Sequence, residues 1–215
     1  MKNNKLLSLI ATVSVFALVV GCSVVPPNGE KEHIASWEGN SQGKTLKGYT
    51  KDALNKYGSD LLRAVPSDIS TYCPNYYRTN YDQRLDFWAG FISSLSHFES
   101  NHKSQVWYQE RFNDVQGNPV ISRGLLQISI ESGNGYGCGL TDQQQLHDPK
   151  TNISCGVRIL NRWVGQEDKM VSGRGGWWVF GSSWKGAARY WSPFRDPNKR
   201  NRIALATRDL PYCKG

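Results

Sequence analysis

An apolar stripe between positions 85 and 100 sets the strongest condition on how this chain folds. Its large apolar residues recur three and four positions apart, as Leu85, Trp88, Phe91, Ile92, Leu95 and Phe98. This spacing places them on one face of a helix, and a face this apolar must pack against other elements. We therefore expect a helix over residues 85–100 at the centre of a packed domain.

Glu99 falls at the end of this stripe. Burial disfavours the charged form of a carboxyl group and raises its pKa. A carboxyl group that keeps its proton near neutral pH can donate it to the leaving oxygen of a glycosidic bond. Glu99 is therefore a candidate general acid, although a glutamate near a helix end is more often a solvated flank.

The residues after this helix predict a hairpin and a second helix. Residues 105–121 contain two strand-like runs separated by a turn-like segment at 115–119. Residues 149–164 carry apolar residues at helical spacing, and Asp148 in front of Pro149 is a suitable N-cap.

The remaining segments complete a mainly helical pattern. Residues 51–62 have near-helical apolar spacing, and residues 196–202 predict a turn followed by a last helix. Residues 172–186 are rich in Gly and Trp and predict a loop. The fold class expected from these patterns is α+β, mainly α, with one small β-hairpin.

The N-terminus has the layout of an export signal. Lys2 and Lys5 precede an apolar run at residues 6–20, shorter than the roughly 20 residues that span a bilayer. The following Gly21-Cys22 resembles the cleavage box of bacterial lipoproteins, in which the cysteine is lipidated. This resemblance implies a signal peptide at residues 1–21 and a membrane anchor at Cys22. An ordinary signal peptide or a short uncleaved anchor would also export the chain.

Behind this signal we expect a tether at residues 22–45, which is rich in Pro, Gly and polar residues, and a single domain at residues 46–215. Ser23 follows the lipidated position, where lipoproteins kept at the inner membrane commonly have Asp. The expected location is therefore periplasmic, lipid-anchored at the outer membrane. The net charge of +8 suits anionic wall polymers and phospholipid headgroups in that compartment, so we expect no nucleic-acid partner.

Four cysteines remain in the exported chain, and an even number in that compartment predicts two disulfides. Three pairings are possible from the sequence. Of these we expect Cys138 with Cys155, which closes a local loop, and Cys73 with Cys213, which fixes the C-terminus. No CxxC pair occurs, and we expect neither a metal nor a cofactor.

Three segments resemble the motifs of bacterial lytic transglycosylases, and they occur in the same order. They are Glu99-Ser100 at the helix end, GLLQIS at residues 124–129 and LHDPKTNISCGVRIL at residues 146–160. The resemblance covers about half of the chain. It implies a lysozyme-like fold, with the hairpin beside a groove that binds peptidoglycan glycan strands.

The resemblance also implies roles for particular residues. Glu99 would be the single acid/base, Gln127 a groove amide that binds substrate, and Gly124 a position where the backbone approaches the sugar. Tyr190 matches the family tyrosine that contacts the catalytic glutamate, but Trp191 stands where the family has Asn. Further candidate substrate contacts are Ser129 and Tyr136.

A second carboxylate decides between two reactions. Animal lysozymes with a similar segment have a carboxylate two residues before the glycine, where this chain has Ser122. Its absence favours a transglycosylase, in which the substrate's own 6-hydroxyl attacks and leaves a 1,6-anhydro product. Asp114 and Glu110 remain possible second carboxylates, although both fit solvated hairpin charges. A hydrolytic muramidase is therefore the alternative, and a non-catalytic wall-binding lipoprotein is a third possibility. The sequence gives no oligomeric state.

Overall fold

The computed structural model of the protein describes residues 37–175 and 183–214. The predicted signal peptide and the lipidation of Cys22 lie outside these residues, as do Trp177 and Trp178. The α-helices of the described residues are α1 (Gly43–Tyr57), α2 (Ser59–Arg63), α3 (Tyr81–Ser100), α4 (Ile130–Gly135), α5 (Pro149–Leu160) and α6 (Pro197–Arg208). The strands form two antiparallel hairpins, β1 (Trp107–Asn113) with β2 (Pro119–Arg123) and β3 (Ser172–Gly175) with β4 (Ser183–Gly186). The expected α+β, mainly α class is confirmed.

Helix α3 lies at the centre of the core. A capping box between Asn80 and Gln83 starts it, and Asn101, in the left-handed conformation with φ of 50°, ends it. Phe91 is fully buried and stacks on Phe194 with 5.1 Å between ring centroids. Burying a side chain of this size contributes about 2–3 kcal/mol, so the packing of α3 fixes where its C-terminal end lies.

The hairpin of β1 and β2 is mostly exposed along β1. Tyr108 pairs with Ser122, and the register shifts between Gln109 and Asn113. Asp114 closes the turn by accepting the backbone N–H groups of residues 116 and 118 at 2.9 and 2.7 Å. The predicted hairpin is confirmed, and its irregularity includes Glu110.

Helix α5 begins as predicted and ends earlier. Asp148 caps it by accepting the Thr151 N–H at 2.8 Å, and Pro149 stands in its first turn. The chain then continues as a π-helix, Asn161–Glu167. Asn161 Oδ1 accepts both the Asp60 and the Leu61 backbone N–H groups at 2.9 Å, which attaches α2 to this segment.

The expected boundary of the tether at residue 45 is wrong. Trp37 is 1% exposed in the core, and its N–H donates to Ser93 Oγ at 3.0 Å. Helix α1 already begins at Gly43. The composition of this segment is polar and contains glycine, so it did not predict packing against the core. The contact depends on a single apolar residue, Trp37.

Two other segments differ from expectation. The single helix expected over residues 51–62 is divided at Gly58, where a Cβ would lie 2.8 Å from the Leu54 carbonyl oxygen. The loop expected over residues 172–186 contains the paired strands β3 and β4, because backbone pairing here does not need apolar alternation.

Both expected disulfides are present, Cys73–Cys213 and Cys138–Cys155. The first joins the C-terminus to the segment between α2 and α3, and the second joins the loop after α4 to α5. Across residues 37–175 and 183–214, no helix is both long and apolar enough to cross a lipid bilayer.

Candidate active site

A pocket of about 320 Å³ opens where the end of α3 meets the first hairpin. The turn after β2 and the segment before α6 complete its walls. The residues that line it are Glu99, Glu110, Phe112, Val120, Ser122, Gln127, Ser129, Ser132, Arg189, Tyr190, Trp191, Ser192 and Arg195. Two carboxyl groups therefore face one pocket from different elements.

Glu99 enters the pocket from the last turn of α3. The pKa of its carboxyl group is raised to about 8, mainly by burial; the charge of Lys199 lowers it, that of Glu110 raises it and that of Arg195 lowers it, and all three effects are smaller than that of burial. The carboxyl group therefore keeps its proton at neutral pH. This is the protonation state that a general acid requires.

Glu110 enters the same pocket from β1. Ser122, which is buried on β2, donates a hydrogen bond from Oγ to Glu110 Oε1 at 2.6 Å. The serine that occupies the expected carboxylate position thus holds a carboxylate from the neighbouring strand.

Asp114, the other possible second carboxylate, does not line this pocket. Its oxygens accept hydrogen bonds within the hairpin turn, including Asn118 Nδ2 at 3.1 Å, and these bonds lower its pKa. Asp114 therefore closes the turn.

The turn between residues 123 and 128 fixes the floor of the pocket. Gly124 has a φ of +76°, and a Cβ there would collide with the Leu146 carbonyl oxygen and the Asn152 side chain. This close contact within the protein requires a glycine. The family resemblance instead attributes the glycine to the approach of the backbone to the substrate.

Asn152 on α5 is fully buried and holds the same turn with three hydrogen bonds. Its Oδ1 accepts the Leu126 N–H, and its Nδ2 donates to the carbonyl oxygens of Arg123 and Leu146, all at 2.9 Å. Ser100 Oγ adds a bond to the Leu125 carbonyl oxygen at 2.9 Å. The turn is thereby attached to both α5 and the end of α3.

Gln127 lies in the pocket with a left-handed backbone, φ of 46°. Its amide nitrogen donates to the carbonyl oxygens of Val106 and Gly124 at 3.3 and 2.9 Å. What the side chain offers to a ligand is therefore its amide oxygen, an acceptor. Ser129 also lines the pocket, and its Oγ caps α4 by accepting the Ser132 N–H at 3.2 Å.

Tyr190 lines the pocket near Glu99, and burial raises the pKa of its phenol. Its hydroxyl contacts the Ser132 side chain and the Ser129 backbone. Trp191, which is 2% exposed, donates from Nε1 to the Leu126 carbonyl oxygen at 2.9 Å. The tryptophan therefore supports the pocket floor.

Tyr136 belongs to a neighbouring pocket. Its ring meets that of Tyr190 edge-on at 6.0 Å, and its hydroxyl accepts the Trp163 Nε1–H at 2.6 Å. The structure thus brings Glu99, Gln127, Ser129 and Tyr190 together in one pocket. Gly124 lies in the turn beneath this pocket, and Tyr136 lies in the neighbouring pocket.

Sequence reasoning missed several lining residues, among them Phe112, Arg189 and Arg195. Phe112 follows Glu110 by two positions on the strand, and residues two positions apart in a strand lie on the same face. The sequence could therefore have predicted that Phe112 faces the pocket if Glu110 does. The arginines carried no such signal, because their place depends on how the segment before α6 folds back. Within residues 37–175 and 183–214, no cluster of three or more His, Cys, Asp or Glu residues could hold a metal ion.

The site and fold define a mainly helical α+β protein with two glutamates facing one pocket. No family model matches the sequence, and no curated protein matches it. The structure is similar to solved structures of Bd0314 DslA, a Bdellovibrio protein. The wild-type form 2 has a TM-score of 0.77 and 45% identity, and the match covers 86% of this chain and 100% of the DslA chain. The chain therefore belongs to the DslA family.

Two other matched structures are glutamate-to-glutamine variants of DslA. They have TM-scores of 0.77 and 0.76 and identities of 44% and 43%, with the same coverage of both chains. The two substituted glutamates are eleven positions apart in DslA. Glu99 and Glu110 are also eleven positions apart.

Proposed function

We propose that this protein is a peptidoglycan glycosidase with a lysozyme-like fold that hydrolyses the bond between N-acetylmuramic acid and N-acetylglucosamine. Glu99 is the general acid, and Glu110 is the second carboxylate. The observation that carries the proposal is the presence of both groups in one pocket, with the pKa of Glu99 raised by burial and Glu110 held by the Ser122 hydroxyl.

The proposed reaction assigns one task to each carboxyl group. Glu99 donates its proton to the glycosidic oxygen as the bond to the sugar's anomeric carbon breaks. Glu110 stabilises the positive charge that develops on that sugar, and it either activates a water molecule or bonds to the anomeric carbon before water displaces it. The proton of the attacking water returns to Glu99, directly where Glu99 acts as base on that water, or through solvent where Glu110 has first taken it.

Hydrolysis replaces transglycosylation as the favoured outcome because of Glu110. The expectation of a 1,6-anhydro product depended on the absence of a carboxylate at Ser122. Ser122 instead hydrogen-bonds a carboxylate from the adjacent strand, so water attack has a group to assist it. The matching spacing of the two substituted glutamates in DslA supports the same pair.

Peptidoglycan is proposed as the substrate on three grounds. The three motifs resemble those of enzymes that cleave this polymer, the N-terminus resembles a lipoprotein signal, and the pocket offers an amide oxygen and a tyrosine for sugar contacts. A lipid anchor at Cys22 would hold the enzyme at the outer membrane, facing the wall. Residues 1–36, which include this signal, lie outside the described structure.

The test is mass spectrometry of the fragments that the purified, disulfide-bonded protein releases from peptidoglycan sacculi in water enriched in oxygen-18. Hydrolysis gives reducing ends that carry the heavy isotope. We expect Glu99→Gln to lower the rate by about 10³–10⁴-fold and Glu110→Gln by about 10²–10³-fold. The exposed Glu131→Gln is the matched control. Anhydro ends with an active Glu110→Gln variant would establish a transglycosylase, and no release at all would support the wall-binding alternative.

A further inference from the structure

A second pocket, of about 800 Å³, continues from the first around Tyr136. Ser132 lines both pockets, and the ring of Tyr136 in the second contacts that of Tyr190 in the first. The residues around the second pocket are Tyr57, Ser132, Gly135, Tyr136, Arg158, Asn161, Arg162, Trp163 and Gln166. A polymer bound at Glu99 therefore has this pocket beside its neighbouring units.

Arg158 differs from the other arginines in this part of the fold. Arg162 pairs with Glu167 at 2.7 Å, and Arg189 pairs with Asp168 at 2.9 Å. Within the described ranges, no carboxylate lies at ion-pair distance from the Arg158 guanidinium. The positive charge of this partly buried group is thus unmatched, and it faces a cavity.

The guanidinium of Arg158 is nevertheless held in place. Its Cζ lies 3.7 Å from the centroid of the Tyr57 ring, a close cation–π contact between α5 and the end of α1. A Cβ on Gly137 would lie 3.7 Å from its Nη1, so the loop after α4 passes beside it. The disulfide Cys138–Cys155 joins that loop to α5. A cation fixed in this way loses little freedom when it binds an anion.

The acidic groups nearby are already engaged. Asp60 accepts hydrogen bonds from Gln166 at 2.6 Å and from Asn161 at 3.3 Å, and it pairs with Arg63 at 2.6 Å. Lys56, whose Nζ lies 5.1 Å from the Tyr57 centroid, adds another positive charge beside the ring. The pocket is therefore suited to an anionic group with a planar, two-oxygen face, which a guanidinium binds bidentately.

We propose that Arg158 binds a carboxylate of the peptide stem that peptidoglycan carries on its muramic acid residues. This inference rests on the proposed function for the choice of substrate. The glycan of such strands has no free carboxylate of its own, because the lactyl carboxyl groups that carry stems are amidated. The carboxylates next to a cleavage site therefore belong to the stems. Arg158 thus makes the enzyme prefer strands that carry peptides.

The experiment compares two substrates, peptide-bearing glycan strands and the same strands with the carboxyl groups of their stems converted to amides. Arg158→Met keeps the aliphatic stem and removes the charge. We expect it to lower kcat/KM about tenfold on strands with free stem carboxylates and less than twofold on strands with amidated stems. Arg158→Lys should give an intermediate loss, because it keeps the charge without the fork. Arg78→Met is the matched control, since Arg78 lies over Tyr77 at 5.3 Å outside the pocket.

A direct titration separates this proposal from the proposed function. The probe is a soluble tripeptide of L-alanine, D-glutamate and diaminopimelate, added to the disulfide-bonded Glu99→Gln protein and followed by NMR. Binding that Arg158→Met abolishes supports the site even if the wild type cleaves neither polymer. Equal losses on both strands, equal binding of the amidated tripeptide, or binding unaffected by Arg158→Met would overturn it. A thermal melt of each variant verifies its fold.

Discussion

The two carboxyl groups of the pocket have very different supports. Glu99 ends α3, a helix of 20 residues whose buried face forms the centre of the core. Glu110 is on β1, most of whose side chains are exposed, in an irregular part of the hairpin. Burial raises the pKa of Glu99, as a general acid requires, whereas a hydrogen bond from Ser122 fixes the position of Glu110. The difference in support thus corresponds to the difference in proposed task.

The hydrogen bonds around the two carboxyl groups differ in the same way. The Glu99 side is reinforced by buried amide hydrogen bonds that join α5 to the turn of residues 123–128. The Glu110 side depends on one bond from Ser122 and on the turn at Asp114. Changes on the first side should therefore affect folding, and changes on the second should affect activity with little loss of stability.

The largest expected effect is on the helical side, from Asn152→Ala. This change removes the side-chain partner of the Leu126 N–H and of the Leu146 carbonyl oxygen in a buried place, and it leaves the Arg123 carbonyl oxygen with only the Ile128 N–H. We expect a loss of about 2–4 kcal/mol in the free energy of unfolding. Urea denaturation followed by tryptophan fluorescence measures it.

Asn134→Ala is the control for Asn152→Ala. Asn134 also makes two hydrogen bonds to backbone, with the Leu140 N–H and carbonyl at 2.7 and 2.9 Å, but it is exposed. It should lose about 1 kcal/mol or less, because water replaces those partners. Equal losses of stability for the two variants would show that the hydrogen bonds of Asn152 to the turn of residues 123–128 stabilise the fold no more than those of an exposed asparagine.

The next effect concerns the pH dependence of stability. Folded Glu99 keeps its proton up to about pH 8, whereas the unfolded chain releases it near the ordinary value of 4.5. Between these values the unfolded state binds fewer protons, so the wild type loses stability as the pH rises, and the loss levels off above pH 8. Glu99→Gln has no proton to release. We expect its stability to exceed that of the wild type by about 1–3 kcal/mol at pH 8 and to equal it at pH 4.

Unfolding by urea at pH 4, 6 and 8 measures this difference. The exposed Glu131→Gln should show no comparable trend between the three pH values. A constant difference between Glu99→Gln and the wild type across the range would mean that Glu99 is not held protonated by the fold.

The sequence predicted the helical side of the site better than the hairpin side. Helix α3 and the N-cap at Asp148 followed from spacing and composition, because each depends on residues close to one another. The expected disulfides, selected from three possible pairings that the sequence left open, are also present. Glu110 was named only as one of two possible carboxylates. Strand register decides which of them faces the pocket, and the register shifts within β1.

Other features depended on tertiary contacts that no local pattern encodes. Trp37 is buried although the residues beside it in the sequence are polar. Of the two arginines in the second pocket, Arg158 is the one without a carboxylate partner among the described residues, whereas Arg162 pairs with Glu167. The role of Trp191 also required the structure, since its partner is a backbone carbonyl 65 positions away.

The smallest of these effects is on the hairpin side, from Ser122→Ala. This change removes the hydrogen bond to Glu110 and leaves the carboxylate free to rotate in the pocket. We expect kcat on peptidoglycan to fall about tenfold with little change in KM, because the bond positions a group that acts after binding. The free energy of unfolding should change by less than about 1 kcal/mol.

Ser122→Thr retains the hydroxyl group and should recover most of the lost activity, which a purely structural role of Ser122 would not require. Steady-state rates on solubilised glycan strands, measured beside thermal melts of each variant, give the comparison. If Ser122→Ala lost stability as Asn152→Ala does, the hairpin would be part of the rigid support. If it lost neither stability nor activity, Glu110 would not need its donor, and the division of the two supports by task would fail.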